Sequence, residues 1–360
     1  MARKNTRPDG RHTIRDVAAR AGVSPSTVSR VLGGEYPVSE DTRSRVMRAV
    51  SALDYVADAR AKAVAGAGTP TLAFVLDDIT GPSFALMAQG VEREAKRLGH
   101  LCLVCSTDGD DAQQLAFVDM MRAQRAAAVI LVGGAGDTPS HHARMAKMAH
   151  ALQGAGSRLV LCGRPPLEGQ DAPPVTVIEY DNESGAHALT THLLAKGHRR
   201  ILLLGGAPDN ATQRGRERGY LAAHEAYGVT PDPALRLQGD FTRDSGYGLM
   251  RRALEGDGRP GFTAVFAATD MVASGALTAL REAGLSVPDD VSLVGYDDIP
   301  LARDLHPTLT TVHVPYQELG RLAVDTAINR SPDAPDEHLL VGTHVVVRNS
   351  VAAPRSGGRG

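Results

Sequence analysis

Five side chains near the N-terminus, Pro25, Ser26, Thr27, Ser29 and Arg30, have the types and spacing to read a nucleic acid. They lie in the run TIRDVAARAGVSPSTVSRVL, residues 13–32. Small polar groups and an Arg on the outer face of a short helix fit the DNA major groove. The same letters predict the elements that present them. Ile14, Val17 and Ala18 fall at helical spacing and predict a first helix. Gly22 supplies the positive φ of a tight corner. Ser24 stands as N-cap and Pro25 as first residue of a second helix, which buries Val28, Val31 and Leu32. The pattern is degenerate: a helical hairpin packed on a larger domain shares it. Charge favours the DNA reading. The first 64 residues carry 12 Lys and Arg against 7 Asp and Glu, and the remainder carries 27 against 34. A basic head on an acidic body is the footprint of a phosphate-binding unit, even in a chain of net charge −2.

A chain of 360 residues, 42% hydrophobic and 22% charged, fits two or three globular domains. No apolar run approaches the roughly 18–20 residues that span a bilayer. The opening MARKNTRPDGRH lacks the apolar stretch of a secretory signal, so a cytoplasmic location is expected. Cys102 and Cys105 are three apart in the strand-like run LCLVC, so they face opposite sides and cannot share a tetrahedral zinc. Cys162 closes another apolar run and reads as core. GGAG at 133–136 does not complete a dinucleotide fingerprint, and no P-loop or nucleophile elbow occurs. No enzyme activity, metal or cofactor is expected.

From Thr71 onward, short apolar runs alternate with amphipathic helices. LAFVL (72–76), LCLVC (101–105), AVILV (128–132) and RLVLC (158–162) read as one set of buried strands. VTVI (175–178), ILLLG (201–205), TAVFA (263–267) and VSLVG (291–295) read as a second. Such alternation predicts α/β architecture, with two doubly wound parallel sheets in two lobes. Ligands of such sheets bind beyond the strands' carboxyl ends, which points to 77–84, 133–137, 207–216, 269–270 and 297–298. Arg216 and Asp297 suit paired hydrogen bonding to a hydroxylated ligand, and Phe84 and Phe241 could give it an apolar platform.

The words VAARAGVSPSTVSRVL, PVSEDTRSRVMRAVSALDYVADARAKAV, TDMVASGAL, VPDDVSLVGYDD and PTLTTVHVP closely resemble the lactose-repressor/galactose-repressor (LacI/GalR) family, as far as about residue 350. The resemblance implies a small all-α helix-turn-helix head on a two-lobed, periplasmic-binding-protein-like core whose chain crosses between lobes three times. It implies a disordered basic tail at 1–12, a DNA-binding head at 13–57, a hinge helix and linker at 58–69, a core at 70–352 and a tail at 353–360. The first lobe would take about 70–165 and 300–325, and the second about 170–299 and 326–352. Pro25 and Ser26 would set base preference, with Ser24, Thr27, Ser29 and Arg30 beside them. Arg15, Ser39 and Arg43 would touch phosphates, and Val64 stands where relatives wedge a Leu into the minor groove. Phe84, Asn210, Arg216, Phe241, Thr269 and Asp297 match effector-pocket positions. Gly81 and Ser83 depart from the NPFF of many relatives, and Thr269 replaces a common Asn. Asn210 stands where purine-binding relatives carry a basic residue, which favours a neutral, sugar-like ligand.

The expectation is a homodimeric transcriptional regulator, a repressor in most relatives, that binds a pseudo-palindromic operator under the control of a small-molecule effector. A solute-binding protein for transport shares the two-lobed core but needs export. An architectural DNA binder without effector shares the head, and its cleft would respond to no metabolite.

Overall fold

The computed structural model describes residues 12–33, 38–55, 70–133, 139–167, 175–255, 261–330 and 338–355. They belong to two compact units, Met1–Pro70 and Thr71–Gly360.

The first unit holds α1 (Ile14–Ala21), α2 (Pro25–Gly33) and α3 (Glu40–Ala52). At the start of α1, the Thr13 backbone N–H and hydroxyl both donate to the Asp16 carboxylate, at 2.7 and 2.8 Å. Gly22 ends α1 at φ 66°, a left-handed corner that a side chain would strain. Ser24 Oγ then accepts the Thr27 N–H at 3.1 Å and caps α2. Ser39 Oγ accepts the Thr42 N–H at α3, and Glu40 and Asp41 sit in the first turn, where the helix dipole favours them. Val17, Val28 and Val46 are fully buried together, with Ala18, Ala21, Val31 and Ala49 around them. Leu32 covers this core half-buried.

The second unit is built on two parallel sheets. The larger sheet joins β1 (Thr71–Leu76), β2 (Leu101–Ser106), β3 (Ala128–Val132), β4 (Arg158–Cys162), β5 (Thr176–Tyr180) and β11 (His338–Val341) in the order β11-β5-β4-β3-β1-β2. Leu72, Phe74 and Leu76 pack under α4 (Pro82–Arg97) and α12 (Tyr316–Asn329). Ala73 and Val75 face α5 (Asp111–Ala123) and α6 (Pro139–Gly154). The smaller sheet joins β6 (Ile201–Gly205), β7 (Arg236–Gln238), β8 (Ala264–Ala267) and β9 (Ser292–Val294) in the order β7-β6-β8-β9. Its two faces are covered by α7 (Asn182–Ala195) with α8 (Ala211–Ala226), and by α9 (Arg243–Ala253) with α10 (Asp270–Glu282). The short α11 (Leu301–Asp304) buries Ala302 on the second face. Burial on both faces explains strands that read as continuous apolar runs.

Two strand readings need correction. VTVI belongs to β5, which pairs with β4 and so completes the first sheet rather than starting the second. LCLVC is an edge strand, not a buried one: Leu101 is 55% and Val104 44% exposed. Cys102 and Cys105 do face opposite ways, into different hydrophobic clusters. The β11 strand joins the first sheet and α12 packs on it through Ala327, so 326–329 and 338–341 lie outside the second lobe expected for 326–352, while Ala302 and Leu309 pack on the smaller sheet, outside the first lobe expected for 300–325.

The chain passes between lobes at 180–182, through 295–315, and at 341–344. In the middle passage β10 (Thr311–His313) pairs antiparallel with β12 (His344–Val346). The three passages are stitched together: Tyr296 and Thr343 both donate to the Asp181 carbonyl, at 3.2 and 3.0 Å. Three helix pairs pack nearly backbone to backbone through glycine. A Cβ on Gly219 would lie 2.2 Å from the Glu183 carbonyl oxygen, one on Gly246 2.2 Å from Val272 O, and one on Gly90 2.0 Å from Gln317 O.

Candidate functional site

Between the two sheets lies a cavity of about 260 Å³, small beside the roughly 300–1,000 Å³ of typical ligand sites. The first lobe lines it with Phe84, Met87, Val132, Gly133, Cys162 and Gly163. The second contributes Thr212, Arg216, Phe241, Thr242 and Thr269, and Asp297 enters from the middle passage. Two glycines seat the aromatic walls. A Cβ on Gly81 would come within 2.8 Å of the Phe84 ring, and one on Gly206 within 2.5 Å of the Phe241 ring. The departure at Gly81 therefore lets Phe84 fold back over its own helix start.

Arg216 and Asp297 form the polar root of the cavity. Arg216 is 2% exposed and Asp297 6%, and Nη2 donates to Asp297 Oδ1 at 3.1 Å. Arg216 Nε donates to Asn182 Oδ1 at 2.9 Å, Nη1 to the Ala268 carbonyl, and Nη2 also to the Tyr180 hydroxyl at 3.4 Å. The guanidinium lies 3.8 Å over the Tyr296 ring. Burial works against this charge, but the Asp297 carboxylate outweighs it and holds Arg216 protonated. Burial lifts the Asp297 carboxyl above its ordinary range, opposed by Arg216 and by the Tyr316 hydroxyl, which donates to Oδ1 at 2.8 Å. Asp297 takes φ 112°, a conformation that costs a non-glycine residue energy.

Asp270 holds that strained corner in place. Its fully buried carboxylate accepts the Ile299 N–H at 2.9 Å and the Thr311 hydroxyl at 2.6 Å. Its own N–H donates to Tyr296 O at 2.8 Å. Burial pushes its carboxyl well above the usual range, and the nearby Asp297 adds to the shift. Asp298 turns the other way and pairs with His313 and Arg348.

Of the six expected pocket residues, five line this cavity: Phe84, Arg216, Phe241, Thr269 and Asp297. Asn210 does not. Its Oδ1 accepts the Gln213 N–H at 3.2 Å and caps α8. Thr269 lines the cavity while its Oγ1 caps α10 through Val272. Cys162 is buried as expected but also faces the cavity. Sequence reasoning missed Tyr180, Tyr316 and Asn182, and it pointed to Asp270 only as part of the strand-end segment 269–270. A signal for Tyr180 was present: it ends a strand, which is where the strand-end rule looks. A wider groove of about 790 Å³ between α4, α12 and α11 holds none of the six expected pocket residues. Its Arg97, Arg303 and Arg321 pair with Glu94, Asp298 and Glu318.

In the first unit, Arg15, Ser24, Pro25, Ser26, Ser29, Arg30, Ser39 and Arg43 are exposed, and Thr27 is half-buried. The α2 face beginning at Pro25 is thus solvent-accessible, while Val28 and Val31 hold the helix to α1 and α3. Val64 and the hinge lie outside the described residues. No helix among the described residues is long and apolar enough to cross a membrane, and no cluster of metal-binding side chains occurs among them.

Residues 13–58 match the family model for bacterial regulatory proteins of the lacI family, and residues 190–351 match a periplasmic binding protein-like domain. The chain is 31% identical over 342 residues to the HTH-type transcriptional regulator DegA of Bacillus subtilis, covering 94% of this chain and 98% of that protein. It is 32% identical over 318 residues to the ribose operon repressor of Escherichia coli, covering 88% and 92%. A crystal structure of the Lac repressor dimer bound to operator and the anti-inducer ONPF superposes with a TM-score of 0.81 at 27% identity, covering 95% of this chain and all of that one. The head, the two-lobed core and these similarities over nearly the full length agree: the chain belongs to the lacI family of bacterial regulatory proteins.

Proposed function

We propose that this protein represses transcription by binding a pseudo-palindromic operator as a homodimer, with its operator affinity set by a neutral, hydroxylated effector in the cleft. The observation that carries the effector class is the Arg216–Asp297 pair at 3.1 Å. Asp297 neutralises Arg216, so the polar root holds no surplus positive charge to attract a phosphate or carboxylate. It offers Asp297 Oδ2 as an acceptor and the threonine hydroxyls as donors. A sugar supplies both partners, and Phe84 and Phe241 give its C–H face an apolar platform.

The exposed face of α2 supports DNA readout. Arg30 and Ser29 suit base edges or phosphates, whereas Pro25 can discriminate only by shape and apolar contact. Arg15, Ser39 and Arg43 would anchor the backbone, and Val64 would act as the minor-groove wedge. Two-fold symmetry of a dimer matches two half-sites, and the Lac repressor relative is a dimer on operator. The protein acts by binding, with no catalytic step, in the cytoplasm where its DNA lies.

Selection of bound sequences from a random DNA pool, repeated with sugars and nucleobases, tests this reading. A palindromic consensus whose enrichment changes with a neutral sugar is the expected result. Enrichment that responds only to an anionic metabolite would refute the effector class, and no enrichment at all would refute the function.

A further inference from the structure

Two residues of the first lobe occupy the polar root of the cleft. Tyr316, the first residue of α12, donates its hydroxyl to Asp297 Oδ1 at 2.8 Å. Tyr180, the last residue of β5, accepts from Arg216 Nη2 at 3.4 Å. Their rings meet edge to face at 5.8 Å and are 5% and 8% exposed. Arg216 belongs to the second lobe and Asp297 to the passage between lobes. The phenols therefore tie the first lobe to the residues offered to the effector.

Counting donors and acceptors shows what this does. Asp297 Oδ1 already accepts from both Arg216 and Tyr316. Three of the five Arg216 N–H groups go to Asn182, Ala268 and Asp297, and a fourth points to Tyr180. A ligand hydroxyl seeking Asp297 finds one oxygen open and the other holding a phenol.

We propose, resting on the effector reading above, that Tyr316 occupies Asp297 Oδ1 in place of a ligand hydroxyl, tying the first lobe to the passage between lobes while Tyr180 ties it to Arg216, until an effector whose paired hydroxyls engage both carboxylate oxygens displaces it. Tyr316 is then a positioning residue. It sets how strongly a ligand must donate to Asp297 before the lobes rearrange. A Phe at that position keeps the ring and its packing and removes only the phenolic oxygen, which separates the latch from simple core filling.

The test compares full-length wild type with Tyr316→Phe, Tyr180→Phe/Tyr316→Phe and Tyr220→Phe, all without ligand. Tyr220 is the control: its hydroxyl donates to Ile201 O at 2.8 Å inside the second lobe. Hydrogen exchange is read in peptides covering 293–299 and 311–316, and affinity is read for the DNA sequence that the wild type selects. Loss of one net hydrogen bond predicts roughly fivefold faster exchange there in Tyr316→Phe, and more in the double variant. Operator affinity shifts by a similar factor, while Tyr220→Phe changes neither reading beyond its general loss of stability. Wild-type exchange in Tyr316→Phe, or the same acceleration in Tyr220→Phe, overturns the proposal. If the wild type selects no DNA, the regulatory reading fails, yet the exchange comparison still decides the latch.

Discussion

Asp297 and Asp270 are both buried carboxylates, but they do different work. Asp297 balances Arg216, so Asp297→Ala leaves a buried guanidinium without its counter-charge. Removing one partner of such a pair costs about 3–5 kcal/mol, and chemical denaturation of the variant is expected to show a loss of that size. Asp270 has no cation within its hydrogen-bond set, only Ile299 N–H and the Thr311 hydroxyl. Its carboxyl is raised in the folded protein, chiefly by burial. Below the unfolded value of about 3.9 both states are protonated and no penalty exists. As pH rises from there, the unfolded chain ionises first, and the folded state loses relative stability until its own raised value is passed. An Asn can keep the Ile299 contact and donate to Thr311. The stability of Asp270→Asn relative to wild type should therefore increase as pH rises above the unfolded carboxyl value of about 3.9 in urea titrations; a pH-independent difference would show that the Asp270 carboxyl is not raised. Arg216 and Asp297 were legible because a charged residue beyond a strand end is conspicuous in sequence. Tyr180 and Tyr316 were not, because an aromatic beside an apolar run reads as core until its hydroxyl is seen to have a partner.

Among the elements, capping and corner chemistry was plain in the letters: Gly22 and Ser24 do what their types suggest. Sheet membership was not. VTVI is as apolar as its neighbours, and periodicity carries no information about which sheet a buried strand joins. The exposed β2 shows the same limit, since an edge strand can be as apolar as a central one. The glycine contacts between helices were also hidden, because a glycine in a helix looks only destabilising. They give paired expectations. Gly219→Ala puts a Cβ 2.2 Å from a backbone oxygen and should cost about 1–3 kcal/mol by forcing α7 and α8 apart. Gly248→Ala, in α9 with open space around it, should gain about 0.5–1 kcal/mol from helix propensity. Thermal denaturation of the two variants should move in opposite directions.

For the whole molecule, the basic head and the acidic core divide binding from control. Arg30→Ala is expected to weaken operator binding by about 1–3 kcal/mol while leaving ligand-induced stabilisation of the core unchanged. Fluorescence anisotropy on operator DNA and thermal shift with a bound sugar measure the two separately, and unchanged operator affinity would move the reading face away from α2. The core's three passages have a mechanical consequence. They are stitched at Asp181 by Tyr296 and Thr343, so the lobes cannot slide past one another without breaking that seam. The motion left is rotation about the line through the three passages. A ligand at the root of the cleft sits close to that line, where a small displacement of one hydroxyl corresponds to a large angle of rotation. The cleft thus works as a short lever arm, turning a local exchange of hydrogen-bond partners into a change of orientation rather than of distance.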